Sequence, residues 1–127
     1  MELYRDKDAA IAATDKLKVF AQPQRLMILS CLLRGERNVG EIDEATGIGQ
    51  PALSQQLAAL RRAELVRTRK EAKQVWYALA DEGVSLCVRN MEAIFGGVGI
   101  AEALATERKN GEQSPARPGT AGFARIL

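Results

Sequence analysis

Two short helical patterns, joined by three residues of which two are glycine, constrain this chain more than any other feature. Asn38 is a good N-cap and Glu41, three residues on, completes a capping box. A helix is therefore predicted over about Val39 to Thr46, with Ile42 and Ala45 facing inward. Gly47-Ile48-Gly49 makes a tight turn, and Pro51, suited to a helix's first turn, opens a second helix reaching about Ala63. Short helices around such a turn form the helix-turn-helix pattern. At 100° per residue, Leu53, Leu57 and Leu60 fall together and turn toward the core. The opposite face carries Pro51, Gln55, Ala58 and Arg62, flanked by Ser54, Ala59 and Arg61.

The next segment changes period. Leu65 to Lys70 and Gln74 to Leu79 are rich in β-branched, aromatic or alternating residues and flank the polar connection Glu71-Ala72-Lys73, which reads as a β-hairpin. Val75, Tyr77 and Leu79 share the core face by the period of two, leaving Gln74 and Trp76 on the other. The hairpin tip carries Arg69, Lys70 and Lys73. Upstream, residues 9–21 read as a weakly amphipathic helix with Ile11, Leu17, Val19 and Phe20 as its apolar positions. A broadly apolar helix follows from Pro23 to Arg34, with Gly35 as its cap. Asp81 begins a last helix whose stripe is Val84, Cys87, Val88, Met91, Ile94 and Phe95, ended or bent at Gly96-Gly97-Val98-Gly99. Residues 101–109 could resume as a short helix, and from Asn110 the glycine- and proline-containing chain reads as a tail.

The fold class is thus mainly α with one β-hairpin, in the order α-α-α-α-β-β-α: a winged helix-turn-helix, expected to be dimeric. Its 127 residues allow one domain, read as an N-terminal arm over 1–8, the winged-helix and dimerisation domain over 9–109, and a flexible tail over 110–127. Dimerisation is expected because the first and last helices offer more apolar surface than so small a domain covers. No apolar run approaches a bilayer span and no apolar segment follows the charged N-terminus, so a soluble cytoplasmic chain, away from membranes, is expected.

Charge and the missing residue types narrow the function. Residues 50–77 hold six Lys and Arg against Glu64 and Glu71, an excess of +4, whereas the whole chain carries only +2. A basic patch on a near-neutral chain suits phosphate binding, where counterion release drives association. Histidine is absent, which removes Ser-His and Cys-His pairs, histidine metal sites and the imidazole switch. Two cysteines, Cys31 and Cys87, are too few for a disulfide framework or a four-thiolate zinc site. Asp43, Glu44, Asp81 and Glu82 are read as solvated carboxylates, so no metal, no cofactor and no enzyme activity are expected.

The candidate partner is double-stranded DNA. Gln55 can make two hydrogen bonds to an adenine edge in the major groove, and the small Ala58 and Ala59 let the helix approach closely. Ser54 can donate to a phosphate or base, and Gln50 sits where the helix start would meet phosphate. Arg61 and Arg62 are candidates for backbone phosphates, as are Arg69, Lys70 and Lys73 on the wing. The alternative is a winged helix serving protein–protein contact, in which Trp76 would be part of the buried surface.

Gln24-Arg25-Leu26-Met27-Ile28-Leu29, Val39-Gly40-Glu41-Ile42, the run from Gln50 to Arg61 and Val75-Trp76-Tyr77-Ala78-Leu79 together resemble the ArsR/SmtB family of small bacterial winged-helix repressors, over about residues 15–95. The resemblance implies a homodimer built on the first and last helices, binding an inverted-repeat operator and released by a ligand or thiol modification. It is closer to the branch of sulfide-responsive and biofilm-associated repressors and the rhizobial nodulation regulator. The chain departs from the metal sensors: Glu41-Ile42-Asp43-Glu44 stands where they carry Cys-x-Cys. It departs from the thiol-responsive members too. Cys31 lies one residue from their first cysteine position, which aligns with Ser30, and Gly96 occupies the second. Cys87 falls more than two turns earlier and reads as a buried packing thiol. A redox or persulfide switch at Cys31 and Cys87, a small-molecule effector and constitutive repression all remain open at this point.

Overall fold

A computed structural model of the chain describes residues 2–96. Within the unit Met1–Met91, a 3-10 turn at Leu3–Arg5 precedes α1 (Lys7–Phe20), α2 (Pro23–Leu33), β1 (Arg37–Asn38), α3 (Val39–Thr46), α4 (Ala52–Arg62), β2 (Val66–Glu71) and β3 (Gln74–Leu79). The last helix, α5 (Glu82–Phe95), begins in that unit and runs into the next, Glu92–Leu127. The tail, the short helix over 101–109 and the glycines after Gly96 lie outside the described residues.

The core is built from one stripe of each inner helix. Ile28, Leu29 and Leu32 of α2, Ile42 of α3 and Leu53, Leu57 and Leu60 of α4 are buried, together with Leu65, Val66, Leu79, Val84 and Val88. Each leucine removed from water in this way contributes about 1.5–3 kcal/mol, so the α4 stripe alone fixes which side of that helix faces out. Ala45, expected to face inward from α3, is exposed, because a helix of only eight residues has room for one buried anchor, Ile42. The α5 stripe is also narrower than its spacing suggested. Val84 and Val88 are buried and Met91 packs against them, but Cys87 is exposed, as are Leu86, Ile94 and Phe95. Cys87 is therefore not a packing thiol: it lies on the rim of the stripe, about 100° around the helix from Val88.

Local chemistry sets the joints. The Asn38 side chain accepts from the Glu41 N–H at 2.8 Å while Glu41 accepts from the Asn38 N–H at 3.1 Å, the reciprocal capping box that starts α3. Gly47 and Gly49 both take positive φ, 69° and 80°, which an L side chain rarely adopts, and the Asp43 carboxylate closes the turn by accepting from the Gly49 N–H at 2.8 Å. Pro51 lies just outside α4, as its N-cap, one residue earlier than the helix start its residue type suggested. At the other end, Leu65 N–H donates to the Leu60 carbonyl and Glu64 N–H to that of Arg61, both at 3.0 Å, with Glu64 left-handed at φ 60°. This Schellman arrangement drops Leu65 onto Leu60 in the core and launches β2.

The sheet is three-stranded and antiparallel in the order β1-β3-β2, one strand more than the hairpin the sequence suggested. The added strand is only Arg37–Asn38, paired with Tyr77 and Trp76 and too short to show a period. The hairpin turns on two residues, not three: Glu71 pairs with Gln74, and Ala72 and Lys73 both take positive φ, 51° and 69°. That is the geometry of a type I′ turn, whose twist matches the strands. α1 starts at Lys7, inside the stretch read as an arm, because Asp6 caps it by accepting from the Ala9 N–H at 3.0 Å.

Candidate nucleic-acid interface

With its leucines buried, α4 presents Ser54, Gln55, Ala58, Arg61 and Arg62 to solvent. Gln55, Arg61 and Arg62 make no side-chain hydrogen bond or ion pair among the described residues. An open groove of about 470 Å³ runs along this helix, lined by Ser54, Leu57, Ala58, Arg61 and Arg62 on one side and by Val39 and Tyr77 on the other. Val39 opens α3 and Tyr77 lies on β3, so the groove joins the outer face of α4 to the sheet; neither residue stood out in the sequence as part of a site. Its arginines stand at the helix's C-terminal end, where basic groups also complement the helix dipole.

Gln50 and Ser54 are brought together differently from expectation. Pro51 has no side-chain group to cap α4, and Gln50 supplies the cap instead, its Oε1 accepting from the Ser54 N–H at 3.1 Å and from the Ser54 hydroxyl at 2.7 Å. Both residues remain exposed at the start of the helix, with the Gln50 amide nitrogen still a free donor.

The wing is where the structure separates its basic residues. Lys70 and Lys73 are exposed, without a side-chain partner among the described residues. Arg69 is not free. Its Nε donates to Glu36 Oε2 at 2.8 Å and its Nη2 to Glu36 Oε1 at 2.6 Å, a bidentate pair, while Nη1 is bonded to Glu71. The guanidinium lies 5.5 Å from the centre of the Trp76 ring, spanning β3 to reach Glu36 beside β1. The Arg69 hydrogen bonds hold the Glu36 carboxyl below its ordinary range, and the two carboxylates in turn favour the charged form of Arg69. Arg69 therefore clamps the wing to the β1 edge, its guanidinium already engaged within the fold. Glu36, its main partner, escaped notice because it lies 33 residues upstream. The same clamp covers the ring of Trp76, which the protein–protein alternative needed as a contact surface.

A further set of side chains supports α4 from behind. Gln56, beside Gln55 but turned inward, accepts from Arg25 Nε at 2.8 Å and donates to Gln24 Oε1 at 3.2 Å. The thiols stand apart from all of this: Cys31 is half-buried on α2 and Cys87 exposed on α5. No group of three or more His, Cys, Asp or Glu able to hold a metal occurs among the described residues. Asp43 braces the turn, and Asp81 caps α5 by accepting from the Val84 N–H at 2.9 Å. No described helix is long and apolar enough to cross a membrane.

Comparison with known proteins agrees with this fold. Residues 22–68 match the family model described as bacterial regulatory protein, arsR family. The chain is 47% identical over 79 residues to the biofilm growth-associated repressor of Agrobacterium fabrum, covering 62% of this chain and 68% of that one. Its fold is similar to the crystal structure of the transcriptional repressor BigR from Xylella fastidiosa, at a TM-score of 0.68 and 38% identity, over 75% of this chain and 97% of the other. It is also similar to a homodimeric winged helix-turn-helix DNA-binding domain from Mycobacterium bovis, solved by NMR, at a TM-score of 0.62 and 33% identity, over 70% and 84% of the two chains.

Proposed function

The chain belongs to the ArsR family of bacterial regulatory proteins, and from that premise we propose how it regulates: as a homodimeric repressor that reads an inverted-repeat operator with α4. It is a DNA-binding transcriptional regulator with a winged helix-turn-helix. The observation that carries the reading is the outer face of α4, where Gln55, Arg61 and Arg62 stand unpartnered beside two small alanines and a groove open to the sheet. Gln55 specifies by a base edge, Arg61 and Arg62 hold the backbone, and Lys70 and Lys73 reach a neighbouring phosphate. The function is binding alone, with no catalytic step and no cofactor, carried out in the cytoplasm where the operator is.

Dimerisation follows from surface left uncovered. Ile11 and Leu17 of α1 and Leu86 of α5 remain 50%, 56% and 53% exposed. Large apolar residues repeated along two helices call for a partner, and a twofold copy sets two α4 helices against half-sites about 34–36 Å apart.

The test is a titration of duplex DNA from the protein's own promoter, with light scattering for the assembly. Gln55→Ala should relax discrimination at one base pair per half-site by about 1–3 kcal/mol while sparing non-specific binding. A monomer at micromolar concentration, or unchanged binding after combined loss of Gln55, Lys70 and Lys73, would defeat the proposal.

A further inference from the structure

We propose that Gln56 is a positioning residue: through Arg25 and Gln24 it fixes the rotation of α4 about its own axis, and so the aim of Gln55. The inference rests on the reading of α4 as the DNA-reading helix.

The physical need is plain from how α4 is held. Leu53, Leu57 and Leu60 anchor one face, but burial is non-directional, and a leucine stripe tolerates a small roll at little cost. Side chains lie about 5–6 Å from a helix axis, so a roll of roughly 10–15° carries a tip sideways by about 1–1.5 Å. A paired hydrogen bond to a base edge does not survive that displacement. Something directional must stop the roll.

Gln56 has the geometry to do so. Its Oε1 faces the Arg25 donor at 2.8 Å and its Nε2 faces the Gln24 acceptor at 3.2 Å, so both ends of one amide are engaged by adjacent residues of α2. Flipping the amide would set donor against donor, so the orientation is fixed by its partners. All three side chains are partly buried, which shields the bonds from competing water. Arg25 also donates a long bond, 3.5 Å, to the carbonyl of Val19 in the last turns of α1. The chain of contacts therefore runs from α1 through the head of α2 to α4. Gln55, one residue away and the same amino acid, has no such partner. One glutamine is built into the fold and its neighbour is left free to read.

The experiment takes a duplex that the full-length wild-type protein enriches from a random-sequence library, and a scrambled duplex of the same length. The quantity read is the ratio of the two affinities, with the salt dependence of each and a thermal melt of every variant. Gln56→Ala and Arg25→Ala should each lower the ratio by about tenfold per half-site, about a hundredfold for the dimer, within the range of one lost bidentate base contact in each half-site. Scrambled-duplex binding and the salt slope should stay at wild-type values. The double variant should be no worse than the poorer single one, because both cut the same link. Gln56→Glu, which keeps an acceptor for Arg25, should retain most of the ratio and guards against a variant that does not fold.

A loss confined to one base pair in Gln56→Ala, with Arg25→Ala unaffected, would make Gln56 a base reader and overturn the proposal. A salt slope reduced by about two in Arg25→Ala, one contact per protomer, would make Arg25 a phosphate contact, with the same consequence. A melt shifted with the ratio intact leaves only a structural brace and also overturns it. If the wild type enriches no sequence, the reading of α4 itself fails and the inference falls with it; an enriched sequence whose preference survives both alanine variants defeats the inference alone.

Discussion

Arg61 and Arg62 at the end of α4, and Arg69 on the wing, are the same residue type within nine positions of chain, yet the fold puts them to different uses. The first two are exposed and unpaired among the described residues. The third is held by Glu36 and Glu71 and stacked on Trp76. A charge already neutralised by two carboxylates releases few counterions from DNA, because taking up a phosphate would first require breaking a bidentate pair. The basic excess of residues 50–77 therefore overstates the charge available, and the part left unpaired among the described residues sits on α4, on Arg67 of β2 and on the two wing lysines.

The sharpest way to break this contrast is to remove the free pair. Arg61→Ala with Arg62→Ala removes two phosphate contacts from each protomer, so the salt exponent of dimer binding should fall by about four, and counterion release alone then predicts a loss of roughly a thousandfold at physiological salt on any sequence. Affinity measured across a salt series on operator and scrambled duplexes should show equal losses on both. A loss confined to the operator would mean that the arginines read bases.

The wing gives the next largest effect. Lys70→Ala or Lys73→Ala, each removing one contact per protomer, should lower the salt exponent of dimer binding by about two, roughly 30-fold at physiological salt. Arg69→Ala should leave the exponent nearly unchanged, with its cost appearing as a less ordered hairpin in amide exchange. If Arg69→Ala instead matches the lysines, the clamp opens on DNA and the distinction between the two regions disappears.

What the residues disclosed and what they hid follow the same line. Short-range rules carried the helix-turn-helix. Asn38 with Glu41 and the paired glycines at 47 and 49 act over a few residues, so their consequences could be read directly. The leucine period of α4 did the same for its buried side, and hence for the exposure of Gln55. The contacts that assign roles to polar residues are long-range. Glu36 to Arg69 spans 33 residues and Gln24 to Gln56 spans 32, and no periodicity encodes such a meeting. Arg69 thus looked like Lys70, and nothing in the sequence singled out Gln56. β1 was missed for another reason: two residues cannot show an alternation, and the strand exists only because β3 offers it an edge. Cys87 shows that helical spacing marks a stripe without marking its width.

The smallest effect is also the most specific to the clamp. The Arg69 hydrogen bonds hold the Glu36 carboxyl below its ordinary value in the folded protein, and its side chain remains about one-third exposed to solvent. A depressed folded-state value means the ionised carboxylate favours the fold at pH above the unfolded carboxylate range, and that this contribution is lost as pH falls through the lower folded value. Solvent screening keeps it small, as for other exposed pairs. Denaturation of wild type and Glu36→Gln should therefore differ slightly at pH 7, and the difference should shrink steadily as the solution is acidified past the carboxylate range. Arg69→Ala should remove most of this pH-dependent difference, since without that guanidinium only the charge of Arg67 is left to lower the value of Glu36. A difference that grows toward acid would mean that Glu36 favours the fold in its protonated form, and the pairing that separates Arg69 from Arg61 and Arg62 would not hold in solution.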